Sequence, residues 1–280
     1  MTSSLTLAMP TAIFADTSVW RASNDSSVLY LAGTVHKLSA SQYPLPAEYQ
    51  SAYDHSDILV FETDIGAMRS PAVRDRIAAQ SVLPEGRTLE SVLGDSTCDL
   101  LRRYCEDVGF PIEQLRSLKP VAAMMTLLAG TLQSLGVTAP GVDEHFFSLA
   151  QSDSKAYRSL ESVDRQIDYL LTMDEGRPDR FVRRSIEDFK RARQGELEDG
   201  IRAWRDGEEQ ALIERFLHDE MLSAPGLYQS LVVDRNREWM RSIRQYLESP
   251  GTEMVLVGVA HLVGSDGLVS LLRGEGYEVR

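Results

Sequence analysis

Two histidines stand in matched sequence contexts that could place both of them in one site. His36 ends a Gly-x-x-His segment at residues 33–36, His261 ends another at residues 258–261, and each segment follows an apolar run. Glycine lets the backbone turn sharply or approach a ligand closely, and the imidazole that follows can bind a metal ion or transfer a proton. One such histidine is more often a structural residue, whereas the matched pair favours a functional and a structural interpretation about equally.

Carboxylates follow apolar runs in the same way. Glu62 comes directly after the run at residues 58–61, with Asp64 two positions later, and Glu161 follows a weaker run at residues 156–160. Ligands of open parallel sheets bind outside the carboxyl ends of the strands, so we expect these carboxylates and the two histidines to converge on one sheet edge. Imidazole and carboxylate groups are usual ligands of zinc, manganese and cobalt, and such an ion lowers the pKa of bound water to about 7.

A third feature is a charge on an apolar helix face. Residues 231–247 have helical periodicity, and Arg235 and Asn236 fall on the stripe formed by Val232 and Trp239 and continued by the apolar residues after them. A buried charge needs a partner or a ligand. Arg235 therefore either pairs with a buried carboxylate or serves as an active-site cation for a substrate carboxylate or a developing oxyanion.

The elements that would position these residues are short apolar runs separated by helical periodicity. Residues 18–22 and 28–32 predict a hairpin, and residues 254–257 and 277–279 predict further strands. The runs do not alternate with polar residues, which indicates strands covered on both faces, as in parallel sheets. We therefore predict an α/β (α+β-like) fold, with a central, mostly parallel β-sheet flanked by helices. A crossover helix over 45–55 connects two of its strands.

Two longer helical stretches, about 70–150 and 162–248, are predicted as insertions into one domain spanning residues 16–280. Residues 1–15 are predicted to be a signal-peptide remnant or a disordered leader, because residues 5–15 are apolar and end in small side chains.

Composition narrows the classes of function. The chain of 280 residues is 43% hydrophobic and carries a net charge of −13, from 29 basic and 42 acidic residues. This charge repels polyanions, which argues against nucleic acid as a partner. No run approaches the roughly 18 apolar residues of a membrane span. The two cysteines, Cys98 and Cys105, are seven residues apart on a predicted helix, so we expect buried thiols rather than a disulfide.

Several motifs resemble those of the TraB/GumN/Tiki family, and in particular its bacterial GumN-like branch. They occur in the family's order from about Val19 to Val279, which covers nearly the whole chain. They are LYLAGTVHKLSASQYPLP, SDILVFETD, GVDEHFFSLAQ with AYRSLESVDRQ, RNREWM, and VLVGVAHLVGSDGLVSLLRGEGYEV. The paired Gly-x-x-His segments and the glutamate after a strand are the most specific part of the resemblance.

The resemblance implies an activity. The Tiki proteins are described as metal-dependent proteases that clip the amino terminus of Wnt, and their activity is linked to the two Gly-x-x-His segments and a glutamate. These roles carry over to His36, His261 and Glu62, as ligands of a divalent transition metal (manganese, cobalt or zinc). The wider superfamily also contains erythromycin-esterase-like hydrolases and a haem-binding lipoprotein. Bacterial GumN-like members usually carry a signal peptide, which implies a periplasmic or secreted protein, with the cytoplasm as the alternative.

Three hypotheses follow. The first is a metallohydrolase, most simply a peptidase, in which Glu161 or Asp64 acts as general base on metal-bound water and Arg235 stabilises substrate or transition-state charge. The second is a metal-free, esterase-like hydrolase in which one histidine is the general base, oriented by Glu62. The third is a binding protein in which a histidine after a strand ligates haem iron. The partner is a peptide or small-molecule substrate in the first two.

The first hypothesis makes geometric and energetic predictions. His36, Glu62 and His261 should lie within reach of a shared ion, at about 2.0–2.2 Å each. Arg235 should be buried and face the same crevice. Substitution of His36 or His261 by alanine should cost little stability, because crevice residues are only partly packed.

Overall fold

The computed structural model describes residues 17–24, 27–217 and 224–280. The leader predicted for residues 1–15 lies outside the described residues, as do Asp25 and Ser26 of the predicted hairpin loop. In the part of the chain that is described, no helix combines the length and the apolar character needed to cross a membrane.

Six strands form one mixed sheet in the order β6-β4-β7-β2-β1-β8, and two more form a small second sheet, β3-β5. In chain order the strands are β1 (Val19–Ser23), β2 (Val28–Thr34), β3 (Lys37–Leu38), β4 (Ile58–Phe61), β5 (Ala139–Pro140), β6 (Ala156–Ser159), β7 (Thr252–Gly258) and β8 (Glu278–Val279). The four strands β6, β4, β7 and β2 run parallel to each other, whereas β1 and β8 are added in antiparallel orientation. The predicted α/β fold with a mostly parallel sheet is confirmed.

The continuous apolar runs are buried because the sheet is covered on both faces. Residues 253–257 of β7 are all buried, and so are residues 29–34 of β2. The predicted hairpin is also present, with Val19 of β1 opposite Ala32 of β2. Strand β6 differs from this pattern: it is the sheet edge and all four of its residues are exposed, which explains why its run is less apolar than the others.

Helices cover the sheet and extend beyond it. Among the described residues, the α-helices longer than four residues are α1 (Ala47–His55), α3 (Pro71–Ser81), α4 (Asp95–Val108), α5 (Pro120–Ser134), α6 (Val142–Asp153), α7 (Val163–Leu171), α8 (Pro178–Arg191), α9 (Leu197–Arg205), α10 (Glu209–Phe216), α12 (Asp234–Glu248) and α13 (Leu268–Gly274). Two short α-helices are α2 (Ile65–Met68) and α11 (Pro225–Tyr228), and five-residue π-helical segments at Ala192–Glu196 and Gln229–Val233 precede α9 and α12. The predicted crossover helix corresponds to α1, which connects β2 with β4.

The two helical stretches do not pack as two separate units. Residues of α6, α9, α10 and α12 belong to the main core around the sheet. A second core is formed by α4, α5 and α8 together, so it draws on both stretches. The first stretch is not wholly helical either, because β5 interrupts it and pairs with β3 directly after His36. Cys98 and Cys105 are buried free thiols in the second core, as expected.

Candidate functional site

The carboxyl ends of β2, β4 and β7 form one side of a cleft of about 280 Å³. These strands are parallel neighbours, with Thr34 opposite Gly258 in the β2–β7 register, so the segments that follow them leave the sheet side by side. The cleft is lined by Thr34, His36, Phe61, Glu62, Thr63, Ile65, Met68, Arg69, Asp143, Glu144, Gln166 and Leu256.

The sequence-predicted residues lie in two layers at this edge. His36 and Glu62 line the cleft itself. Arg235, Glu161 and His261 lie behind Glu62 and are buried, with 6%, 9% and 6% of their surfaces exposed. The guanidinium of Arg235 joins the layers, because it contacts Glu62 as well as Glu161 and His261. The edge therefore has an accessible imidazole in front and a buried charged cluster behind.

His36 is an exposed imidazole oriented by a carboxylate. Its Nδ1 lies 3.4 Å from Oδ1 of Asp143, and 73% of its side chain is exposed. The Nε2 atom has no hydrogen-bond partner within the described ranges, and the ring to which it belongs lines the cleft. The hydrogen bond to Asp143 and its negative charge raise the pKa of His36 above its ordinary value. Nδ1 therefore carries the proton donated to Asp143, and Nε2 presents the lone pair when the ring is neutral.

Asp143 reaches His36 because helix α6 begins against the backbone that carries the histidine. Asp143 lies in the first turn of this helix, and the N–H of Val142 donates to the carbonyl of Val35 at 3.1 Å. Gly141 makes this approach possible: a Cβ at that position would collide with the backbone of His36 and with the carbonyl of Val35. The glycine is thus required by packing against the His36 segment.

Glu144, the next residue of α6, pairs with two cations, Arg69 and Lys37. Glu144 accepts a hydrogen bond from Nη2 of Arg69 at 2.6 Å and another from Nζ of Lys37 at 3.2 Å. Arg69 also lines the cleft, with 43% of its side chain exposed. Two consecutive acidic residues therefore place His36 and Arg69 at the same opening, because Asp143 binds the imidazole and Glu144 binds the guanidinium.

Glu62 is a carboxylate with both oxygens engaged. Its Oε1 accepts the N–H of Gly258 at 2.6 Å, and its Oε2 accepts Nη2 of Arg235 at 2.7 Å. Burial disfavours its ionisation, but the charge of Arg235, followed by smaller effects of the nearby imidazoles of His261 and His36 and of the Gly258 N–H, outweighs burial and lowers the pKa of Glu62 to about 2. Glu62 is therefore a fixed negative charge at the cleft.

Arg235 is buried, as the sequence predicts, but it lies behind the cleft rather than lining it, and it contacts His261 there. It donates to both oxygens of Glu161, at 3.1 and 2.8 Å, and to Oε1 of Gln166 at 3.2 Å. Its guanidinium carbon lies 4.5 Å from the ring centre of Trp239. The sequence left open whether this charge binds a substrate or a buried carboxylate, and the side chain pairs with buried carboxylates.

Glu161 and Asp64, the two carboxylates expected to act as general base, are engaged elsewhere. Glu161 is held by Arg235, and burial raises its pKa. Asp64 caps helix α2, where its Oδ1 accepts the N–H of Ala67 at 2.9 Å.

His261 is a buried neutral imidazole whose tautomer follows from Asn236. The amide nitrogen of Asn236 donates to the carbonyls of His261 and Asp266, so its oxygen must be the atom facing Nδ1 of His261, at 2.8 Å. Nδ1 therefore carries the proton, and the lone pair of Nε2 accepts from Nη1 of Arg235 at 3.1 Å. Burial lowers the pKa of His261 to about 3, which keeps the ring neutral.

The predicted metal ligands do not fit one shared ion in this arrangement. The lone pair of His261 and one oxygen of Glu62 face the guanidinium of Arg235. His36 instead donates to Asp143 at the opening of the cleft, in front of the buried cluster. Within the described ranges, no group of three or more histidine, cysteine, aspartate or glutamate side chains is placed to hold a metal ion. A cation at the shared position would meet a fixed positive charge.

Sequence reasoning missed the residues that complete the cleft. Asp143, Glu144 and Arg69 were not predicted, although the GVDE segment at residues 141–144 carries a signal, namely a glycine and two acidic residues at a helix start. Arg69 follows a four-residue helix and has no such signal. His145, which follows Glu144 in the chain, packs against Tyr43 and Phe146 and is only half-buried.

Comparison with known proteins agrees with the motifs. The family model described as the TraB/PrgY/gumN family matches residues 18–280. The uncharacterized protein YbaP of Escherichia coli (strain K12) is 25% identical over 260 residues, which cover 87% of this chain and 87% of that protein. YbaP of Shigella flexneri matches with the same identity and coverage. No solved structure gives a significant match.

Proposed function

The chain belongs to the TraB/PrgY/gumN family, and from this premise we propose that it is a hydrolase in which His36, oriented by Asp143, activates water. The observation that carries the proposal is the His36–Asp143 pair at the opening of the cleft, with Nε2 of the imidazole free to take a proton. A carboxylate on the other ring nitrogen fixes the tautomer and stabilises the imidazolium that forms, which is the arrangement of a general base. Hydrogen bonds of this kind are often long before substrate binds, so 3.4 Å is compatible with the role.

The reaction is addition of water to a carboxylic ester or amide. Nε2 of His36 takes a proton from water while the water oxygen bonds to the carbonyl carbon, and the carbonyl electron pair moves onto its oxygen. Arg69, the cation lining the cleft, stabilises that oxyanion. When the intermediate collapses, the bond to the alcohol or amine breaks, and the imidazolium returns its proton to the leaving group.

The cleft favours a substrate with an apolar group beside the reacting carbonyl. Phe61, Ile65, Met68 and Leu256 supply apolar lining next to Glu62 and Asp143. The carboxylates repel an anionic group, so the group nearest the reacting bond is neutral or positively charged. A peptide or a small ester with an apolar side chain meets these conditions.

Metal-dependent hydrolysis through His36, Glu62 and His261 stays a prediction, as does haem binding. We derive no step through an ion, because Arg235 faces two of the three ligands. Metal analysis of protein purified without chelators, together with an absorption spectrum, tests both. A stoichiometric transition metal would favour the metal-dependent reaction, and a Soret band would favour haem.

The proposal is tested with a peptide library and a panel of aryl esters, comparing the native protein with His36→Ala. We expect hydrolysis by the native protein and a loss of at least about 100-fold in His36→Ala, since general-base catalysis contributes about that much. His55→Ala is the matched control, because His55 is an exposed histidine on α1 whose hydrogen bond among the described residues goes to a backbone carbonyl of its own helix. Equal loss in both variants, or retained activity in His36→Ala, would contradict the proposal.

A further inference from the structure

We propose that Arg235 is the resident cation of a ligand cradle formed by Glu62, Glu161 and His261. In this role the guanidinium takes the place of a divalent metal, excludes metal from the three residues, and positions Glu62 at the cleft. The inference concerns the buried layer, so it does not depend on His36 being the general base.

The geometry places one cation at the centre of the three groups. Nη2 of Arg235 lies 2.7 Å from Oε2 of Glu62 and 2.8 Å from Oε1 of Glu161, and Nη1 lies 3.1 Å from Nε2 of His261. Two carboxylates and an imidazole are donor types that bind transition metals, although around the guanidinium these three side chains are not spaced to hold an ion. Metal–ligand distances are about 2.0–2.2 Å, so an ion at the position of Nη2 would require the two carboxylate oxygens to approach by less than about 1 Å each, and His261, which contacts Nη1 instead, to turn toward it.

The lone pairs point toward the cation, as they would toward a metal. Asn236 fixes the proton of His261 on Nδ1, so the metal-binding lone pair of Nε2 faces Arg235. A partner on the second ring nitrogen is also what orients a metal-bound histidine. Glu62 is fixed in the same manner by the N–H of Gly258, which leaves its other oxygen for the cation.

Arg235 is held in the cradle on several sides. Its five N–H groups contact six acceptors, with three of them sharing Nη2: Glu161 (two oxygens), Glu62, His261, Gln166 and the carbonyl of Leu231. The rings of Tyr169 and Trp239 lie 5.3 and 4.5 Å from the guanidinium carbon, which adds cation–π attraction. A divalent ion would have to displace this cation or share the site with it, and like charges at such distances repel strongly in a buried setting.

A buried arginine serves the site differently from a metal. It always carries one positive charge, and it cannot bind and ionise water as an open metal site does. It holds Glu62 ionised and fixed beside the cleft without titrating. Arg235 is therefore a positioning residue, acting on the cleft through Glu62 rather than touching a substrate.

The test removes the cation and asks whether a metal takes its place. Arg235→Leu deletes the charge and leaves space, and Arg69→Leu is the matched control, because Arg69 pairs with Glu144 in the outer layer. We expect Arg235→Leu to bind one Co²⁺ per chain at least about 100-fold more tightly than the native protein, with visible absorption from the bound ion and a rise in Tm. Arg69→Leu should bind Co²⁺ no more tightly than the native protein. Adding His261→Ala to Arg235→Leu should abolish the gain.

Folded Arg235→Leu that binds Co²⁺ no better than the native protein would overturn the inference. A second measurement covers the case in which that variant does not fold. ¹⁵N NMR of the native protein should show His261 protonated on Nδ1 and unchanged by one equivalent of Co²⁺. Loss of the His261 signals on adding stoichiometric Co²⁺ would mean that the native cradle accepts metal, and would equally overturn the inference.

Discussion

Nδ1 of His36 lies 3.4 Å from Oδ1 of Asp143, although 107 positions separate the two residues in the chain. The contact joins the segment that leaves β2 to the first turn of α6, and the two elements are further fixed by the Val142 N–H on the carbonyl of Val35. A surface histidine thereby acquires a defined tautomer and a raised pKa.

The first prediction concerns the pH dependence of hydrolysis. The reactive form of His36 is neutral, and Asp143 raises its pKa, so activity should increase with pH through a value above the ordinary 6.5. In Asp143→Asn that limb of the kcat/KM profile should move to lower pH, and the plateau should fall about 10- to 100-fold because the ring loses its orientation. Asp54→Asn, on the exposed face of α1, should leave the profile unchanged. An unshifted limb in Asp143→Asn would refute the dyad.

The second prediction separates the two histidines by stability. Measured above the raised pKa of His36, where the ring is neutral in both the folded and the unfolded chain, His36→Ala should change the free energy of unfolding by less than about 0.5 kcal/mol, since its side chain is 73% exposed. His261→Ala should cost about 2–4 kcal/mol, because it leaves a cavity beside Trp239 and removes a partner of both Arg235 and Asn236. The expectation from sequence that both substitutions cost little therefore changes for His261, which is packed rather than placed in the crevice. Urea unfolding of the two variants measures the difference, and equal costs would contradict the two-layer description.

The third prediction tests the contact between α6 and the His36 segment. Gly141→Ala introduces a methyl group that collides with the backbone of His36, so we expect a loss of about 1–3 kcal/mol in stability together with reduced hydrolysis. In Gly274→Ala, at the end of α13, the new methyl group would meet no described residue within 4 Å, so the change should be neutral or stabilising by about 0.5–1 kcal/mol. Thermal melts and assays of both variants decide the matter. The contact would be unnecessary if Gly141→Ala behaved like the control.

The fourth prediction concerns the sheet that supports the site. Val257 in β7 is fully buried, so Val257→Ala should cost about 1–3 kcal/mol through lost burial and cavity formation. Val82 is 43% exposed, and Val82→Ala should change stability by less than about 0.5 kcal/mol. Denaturant titration compares the same chemical change at a covered and an open position. Similar losses in both would mean that β7 is not covered on both faces.

The fifth prediction follows from the lowered pKa of His261. Its pKa is about 3 in the folded protein against an ordinary 6.5, so between these values the unfolded chain binds a proton that the folded protein does not. The contribution of His261 to the free energy of unfolding is fully present above pH 6.5. It decreases as the pH falls toward 3, by up to about 1.4 kcal/mol per pH unit. His261→Gln should lack this part of the slope. Parallel slopes for the native protein and the variant over pH 4–6 would show that His261 is not held neutral.

The sequence by itself determined the sheet and the location of the site. Runs such as 58–61 and 254–257 are apolar without alternation because both faces of those strands are covered, and only parallel strands with helices on both sides meet that condition here. Residues that follow such strands must emerge at one edge. His36, Glu62 and His261 could therefore be assigned to that edge from their positions after the runs. The charge on the apolar stripe of residues 231–247 similarly predicted that Arg235 is buried.

Only the tertiary structure decided which groups contact each other at that edge. Position after a strand does not fix the direction of a side chain, which depends on what distant segments pack against it. Helix α6, through Gly141, brings Asp143 to His36, and helix α12 inserts Arg235 between Glu62, Glu161 and His261. The lone pairs that suggested a metal site thus face a guanidinium that lies 173 residues further along the chain than Glu62. No local pattern encodes that contact, because it depends on how elements far apart in the chain pack against each other.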